Sequence, residues 1–185
     1  MHLVINGSDL GRQRGGNESY LVGLLDGMAA VAGEADIQLS LIVASEGARL
    51  LAEKPEWRAF RTIDVGPYRR LPFLLWQQTL ALRNLRPDWT VSTFFLPPIT
   101  PCQAAVLIHD LSFRAHPEYF PRSIALYNRL LAGLAIRRAD VVIALSDFTR
   151  QELFRFHPAA SPKSVIVYPG IGSEFVPDTD PVVEA

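Results

Sequence analysis

The run Ala104-Ala105-Val106-Leu107-Ile108 contains no polar side chain. Successive side chains of a strand point to opposite faces of its sheet, so such a run needs apolar cover on both sides. Val141-Val142-Ile143-Ala144-Leu145 repeats the pattern. Residues 3–6, 37–44, 60–65, 89–93 and 164–168 read as further strands. Helical periodicity fills the gaps. In 17–32 the apolar residues Tyr20, Leu21, Leu24, Leu25, Met28 and Val31 recur three or four apart, with Gly33 as a stop. A short helix is expected over 46–53, another over 72–83 with Pro72 in its first turn, and a long one from Pro121 to Arg137-Arg138. Ser146 is placed to cap a helix ending near Phe156, its hydroxyl accepting from the N–H of Thr149. Strand–helix alternation of this kind predicts an α/β fold: a single Rossmann-like domain with a mostly parallel sheet and helices on both faces. Its expected extent is 1–168, followed by an acidic, Pro-containing linker or tail over 169–185.

The 185 residues suffice for one domain with a sizeable core. A formal net charge of −1 gives no global attraction to nucleic acid. Cys102 is the single cysteine, so no intrachain disulfide can form and a structural zinc cluster has too few thiolates; a reducing cytoplasm fits. The N-terminal segment lacks a basic region before an apolar stretch, and no apolar run reaches the length of about 18 residues that a membrane span requires. Any membrane attachment is therefore expected to be peripheral, at the inner face.

Three segments can carry chemistry. The loop from Gly7 to Gly16 joins the first strand to the first helix, at the strand end where open α/β sheets bind ligands. Its Gly15-Gly16 pair lets backbone approach a ligand, and the helix start offers N–H groups to an anion; the alternative is a turn with glycines for conformational reasons. It matches neither the dinucleotide pattern G-x-G-x-x-G nor a P-loop. His109-Asp110 follows the buried run 104–108, placing an imidazole and a carboxylate in the same crevice; a His that merely bonds to backbone is the competing reading. Ser146-Asp147-Phe148-Thr149 follows the strand 141–145, where a capping function for Ser146 suffices and a ligand contact is additional. His116 and His157 carry no ligand spacing, and no G-x-S-x-G elbow is present. The stretch 69–76 joins Arg69-Arg70 to an apolar, aromatic helix start. It reads as a core helix with arginines snorkelling at its rim, ahead of a peripheral membrane contact.

Together these segments resemble family 4 of the retaining glycosyltransferases, which have the two-domain GT-B fold. The matching residues are Arg14-Gly15-Gly16-Asn17-Glu18-Ser19-Tyr20, Ile108-His109-Asp110-Leu111 with Pro117-Glu118-Tyr119-Phe120, 139–146 with Thr149, and 165–171 leading to Phe175-Val176-Pro177. The His-Asp-Leu and Pro-Glu-Tyr-Phe pairing is most similar to mannosyltransferases of bacterial polysaccharide assembly. The resemblance implies an acceptor-side N-terminal domain that faces a donor-side C-terminal domain across a cleft. Gly15, Gly16 and Asn17 would approach the phosphates of a nucleotide-sugar, His109 the transferred sugar, and Asp110 the acceptor or its own loop, with Ser146 a further substrate contact. The acceptor would be a glycan or lipid-linked. No metal and no cofactor beyond the donor substrate is implied. The family's E-x7-E pair is missing, since no two glutamates stand eight positions apart. The chain alone is therefore expected to be inactive. A non-catalytic saccharide- or partner-binding module and half of a nucleotide-sugar epimerase are the alternatives. An unpartnered domain should also leave Pro97, Pro98 and Ile99 open and self-associate.

Overall fold

A computed structural model describes residues 1–12, 15–32 and 36–171, apart from the side chain of Arg70. Seven strands form one parallel sheet: β1 (His2–Asn6), β2 (Gln38–Val43), β3 (Phe60–Asp64), β4 (Trp89–Thr93), β5 (Gln103–Ile108), β6 (Val141–Ala144) and β7 (Ser164–Ile166). Their order is β3-β2-β1-β4-β5-β6-β7, and every pairing is parallel. The order reverses between β1 and β4, which leaves a crevice above their carboxyl ends.

The register sorts side chains onto two faces. Leu3, Ile5, Leu39, Leu41 and Val43 pack against α1 (Gly16–Val31), with Leu21 and Leu25 buried, and against Trp57 and the apolar side of α2 (Ser45–Ala52). The other face has two parts. Val4 and Ile42 meet Phe73, Ala81 and Leu82 of the helix spanning 70–85. Ala104, Val106, Ile108 and Val142 meet Ala132, Ala135 and Ile136 of α6 (Arg122–Arg138) and Leu153 of α7 (Asp147–Phe156). The near-continuous burial of β5 agrees with its apolar sequence.

The helix over 70–85 is longer than its periodicity predicts. It comprises α3 (Arg70–Pro72), a π turn (Phe73–Gln77) and α4 (Gln78–Leu85). The extra residue in the π turn rotates Phe73 and Leu74 onto the side buried by Gln78, Ala81 and Leu82. The strand expected to reach Tyr168 ends at Ile166, although the N–H of Val167 still donates to the carbonyl of Ala144 at 3.0 Å. A short helix, α5 (Ser112–Ala115), is too brief for periodicity to reveal. Gly33 and the tail beyond Ile171 lie outside the described residues.

Candidate functional site

The loop after β1 is fixed before it reaches the site. Gly7 donates to the carbonyl of Ile42 at 2.7 Å, and Ser8 donates to Asn6 Oδ1 at 3.0 Å, a side-chain turn that redirects the chain. Leu10 is fully buried and anchors the loop. Gly11 donates to Glu18 Oε1 at 2.7 Å, tying the loop to the first turn of α1. Gln13 and Arg14 lie outside the described residues. Gly15 has φ 63° and ψ −134°, a conformation that L residues rarely adopt, and its carbonyl accepts from the N–H groups of Glu18 and Ser19. A side chain at Gly15 or Gly16 would meet nothing within 4 Å, so both open onto space. Gly16 and Asn17 begin α1, where N–H groups have no intrahelical acceptor.

His109 stands at the carboxyl end of β5, half-buried between two rings. The edge of Tyr20, from the second turn of α1, lies 4.9 Å away at 72°, and Phe94 stacks on the imidazole at 5.5 Å and 22°. Its Nε2 is enclosed and has no hydrogen-bond partner among the described residues. Burial lowers the pKa of the imidazole, against the opposing pull of Asp110 and Asp9. Its backbone is held from the first turn of α7. Thr149 Oγ1 donates to the carbonyl of His109 at 2.8 Å, and Ser146 Oγ bonds Thr149 Oγ1 at 2.9 Å while accepting the N–H of Thr149 at 3.0 Å. Ser146 thus caps α7 as its sequence position predicts, and through Thr149 it also positions His109. Asp110 Oδ1 accepts from the N–H of Ser112 at 2.8 Å and from its hydroxyl at 2.5 Å, so this carboxylate orders the turn after β5.

Two spaces meet at the start of α1. A broad groove of about 1130 Å³ is lined by Gly16, the length of α1, His109, Leu145 and residues 167–171. A smaller cleft of about 90 Å³ lies above β1 and β4, lined by Asn6, Ser8, Asp9, Asn17 and Thr93 with Tyr68, Leu74, Phe94, Phe95 and Tyr127. The structure therefore gathers Gly15, Gly16, Asn17 and His109 at one end of the sheet. It leaves Asp110 and Ser146 beside them as supports. Among the described residues, no cluster of three or more His, Cys, Asp or Glu side chains could hold a metal ion.

Sequence reasoning missed the rings around His109 and the whole cleft. Phe94 has φ 58°, an outlier for a bulky residue, held by its N–H donating to the carbonyl of Leu107 at 2.9 Å. Only the paired aromatics after Thr93, at a strand end near the crevice, could have signalled it. Elsewhere His116 pairs with Glu118 on the surface and Cys102 is half-buried, its thiol pushed up to about 11 by burial and by Asp140; neither joins the site.

Residues 14–175 match the family described as Glycosyltransferase Family 4. No curated protein matches the chain. Among solved structures, HepE (Alr3699) from Anabaena in complex with UDP and glucose superposes with a TM-score of 0.58 at 16% identity, over 92% of this chain and 45% of that one. Its UDP-glucose complex gives the same score over 44% of its length. LpCGTa in complex with UDP superposes with a TM-score of 0.55 at 14% identity, over 93% of this chain and 54% of that one. At these identities the likeness concerns the fold, and this chain spans about half the length of the structures it matches.

Proposed function

The chain belongs to Glycosyltransferase Family 4, and from that premise we propose that it supplies the acceptor-side wall of a nucleotide-sugar-dependent, retaining glycosyltransferase. The observation that carries the reading is that Gly16, from an open glycine pair at a helix start, and the half-buried imidazole of His109 line one groove at the carboxyl ends of β1 and β5. A helix start with exposed glycine backbone suits a diphosphate. The imidazole lines the groove where a sugar hydroxyl could meet it, while its enclosed Nε2, without a partner among the described residues, is unfavourable by about 1–3 kcal/mol.

In this reading the donor lies in the broad groove, its phosphates at Gly15, Gly16 and Asn17, and a C-terminal domain beyond the tail covers it. The UDP and glucose bound in the HepE structure, and the UDP in LpCGTa, favour a uridine diphosphate sugar; mannose is the sugar implied by the sequence resemblance. The acceptor hydroxyl enters from the small cleft, whose amide, carboxylate and aromatic side chains match a saccharide's polar edge and apolar face. The acceptor oxygen attacks the anomeric carbon, the bond from that carbon to the donor phosphate breaks, and the hydroxyl proton passes to the departing phosphate. His109 hydrogen-bonds the transferred sugar. Asp110 and Ser146 set the two loops that position it. The test is sugar transfer from a panel of nucleotide sugars by the protein carrying its second domain. His109→Ala should lower turnover by about 10²-fold or more, and undiminished turnover would remove His109 from the mechanism. The 185-residue chain alone should transfer little, and robust transfer by it would overturn the two-domain reading.

A further inference from the structure

The face of the sheet covered by the 70–85 helix and α6 has a charge and surface composition that the transfer reaction does not explain. No Asp or Glu occurs in residues 65–87 or 119–139, although the chain has 19 of them. Seven exposed arginines, Arg69, Arg83, Arg86, Arg122, Arg129, Arg137 and Arg138, lie in these stretches, and none forms an ion pair among the described residues. The outward sides of the same helices are apolar. On the first, Leu71, Trp76 (55% exposed) and Leu80 face away from the core. On α6, Leu126, Leu130 (63% exposed) and Leu134 form a stripe at spacing four, opposite the buried Ala125, Ala132 and Ile136.

The two helices belong to one surface. The loop between β4 and β5 bridges them: Thr79 Oγ1 donates to the carbonyl of Ile99 at 3.0 Å, and Arg138 Nη1 to that of Pro97 at 3.2 Å. Pro98 and Ile99 of this loop are exposed between them, as the sequence predicts for an open patch, whereas Pro97 is buried. The opposite face of the sheet mixes both signs, with Glu18, Asp26, Glu46 and Glu53 beside Arg49, Lys54 and Arg58. The two helices free of acid are thus locally basic despite a net charge of −1.

We propose that this face docks on an anionic phospholipid bilayer, the leucines and Trp76 entering the interface and the arginines engaging the headgroups. Exposed leucines whose only charged neighbours on these helices are arginines are unfavourable against water and complementary to a negatively charged apolar boundary. A protein partner of ordinary surface would offer both signs of charge, and these two helices have no acid to meet a partner's cations; Asp147 and Glu152 of α7, on the same side of the sheet, are already paired with Arg150 and Arg155. Leu74 of one helix and Tyr127 of the other both line the small cleft, so docking would set that cleft at the level of the headgroups. An acceptor carried on a lipid would reach it there. That last step rests on the reading of the cleft as the acceptor site, whereas docking itself is independent of any transfer.

The experiment is co-sedimentation of the 185-residue chain with phosphatidylcholine vesicles and with equimolar phosphatidylcholine and phosphatidylglycerol vesicles, with tryptophan emission read in parallel. Trp57 is buried, so a blue shift that disappears in Trp76→Phe reports entry of Trp76 into the interface. We expect binding to the anionic vesicles only, weakening as salt shortens the screening length. Arg122→Glu with Arg129→Glu should weaken it by about tenfold or more, and Leu130→Ser with Trp76→Ser should also weaken it. Arg49→Glu with Arg58→Glu, exposed on the opposite side, should leave it unchanged. All these positions are exposed, and an unchanged unfolding midpoint checks that each variant folds. Equal binding to neutral vesicles, no binding to anionic ones, or an equal loss from the Arg49/Arg58 pair would overturn the proposal. So would a concentration-dependent dimer abolished by Leu130→Glu, which would make a second copy the occupant.

Discussion

Three glycine-to-alanine substitutions, made separately, test whether the loop after β1 is built as described. At Gly11, φ is +71° and an added Cβ would lie 2.5 Å from the carbonyl oxygen of Glu46 and 2.7 Å from its carbon. These are backbone atoms of α2 and cannot rotate away. Left-handed backbone disfavours alanine by about 1–2 kcal/mol, and forcing α2 aside adds about 1–3 kcal/mol. The sum is about 2–5 kcal/mol, which for a chain of this length lowers the melting temperature by about 2–4 °C per kcal/mol. At Gly15, φ is +63° but nothing lies within 4 Å, so only the conformational part applies, about 1–2 kcal/mol. Gly23 lies within α1, exposed and with the same open surroundings. Alanine there should stabilise by about 0.5–1 kcal/mol, since glycine is a poor helix former. Melting followed by far-ultraviolet circular dichroism should therefore rank the variants Gly23→Ala, wild type, Gly15→Ala, Gly11→Ala, from most to least stable. Gly11→Ala melting at or above Gly15→Ala would refute the close approach of the loop to α2, and with it the fixed placement of the groove wall.

Three further outcomes follow from the site. Thr149→Val removes the hydroxyl that joins Ser146 to the carbonyl of His109; it should lower stability by about 1–3 kcal/mol in urea unfolding at unchanged m-value, and no change would show that this link is slack. Burial lowers the pKa of both His109 and His157, with Arg114 adding to the effect at His157. The unfolded chain therefore binds more protons below its ordinary histidine pKa of about 6.5, so stability is fullest above that value and declines as pH falls through it. Replacing either histidine with Gln should shallow that decline; identical slopes in the wild type and both variants would contradict the burial of these rings. Cys102, with a thiol pushed up to about 11, should react with iodoacetamide near pH 8 far more slowly than a free thiol, and rapid alkylation would show that it is neither shielded nor facing Asp140.

How much of this could be read from the sequence depends on the range of the interactions involved. The strands are legible because burial on both faces leaves its mark residue by residue in 104–108 and 141–145. The cap at Ser146 is legible because its bond spans only three positions. Gly15 and His109 could be assigned to strand ends, and the parallel topology then brings those ends to one side of the sheet. What could not be read is whatever depends on register across the sheet. Tyr20, Phe94 and His109 are far apart in sequence, and their packing requires the order β1-β4-β5 together with a left-handed Phe94. Asp110 and Ser146 expose the same limit from the other side. Their positions invite a ligand contact, yet the bonds they make, to Ser112 and Thr149, show each already engaged in shaping the loop that carries His109. The aromatic enclosure has a consequence of its own. A ring wedged between Tyr20 and Phe94, in a residue whose carbonyl is tied to Thr149, has little freedom to move. Under the function proposed above, the sugar would have to be brought to this ring, which suits a rigid wall facing a separate donor-carrying surface.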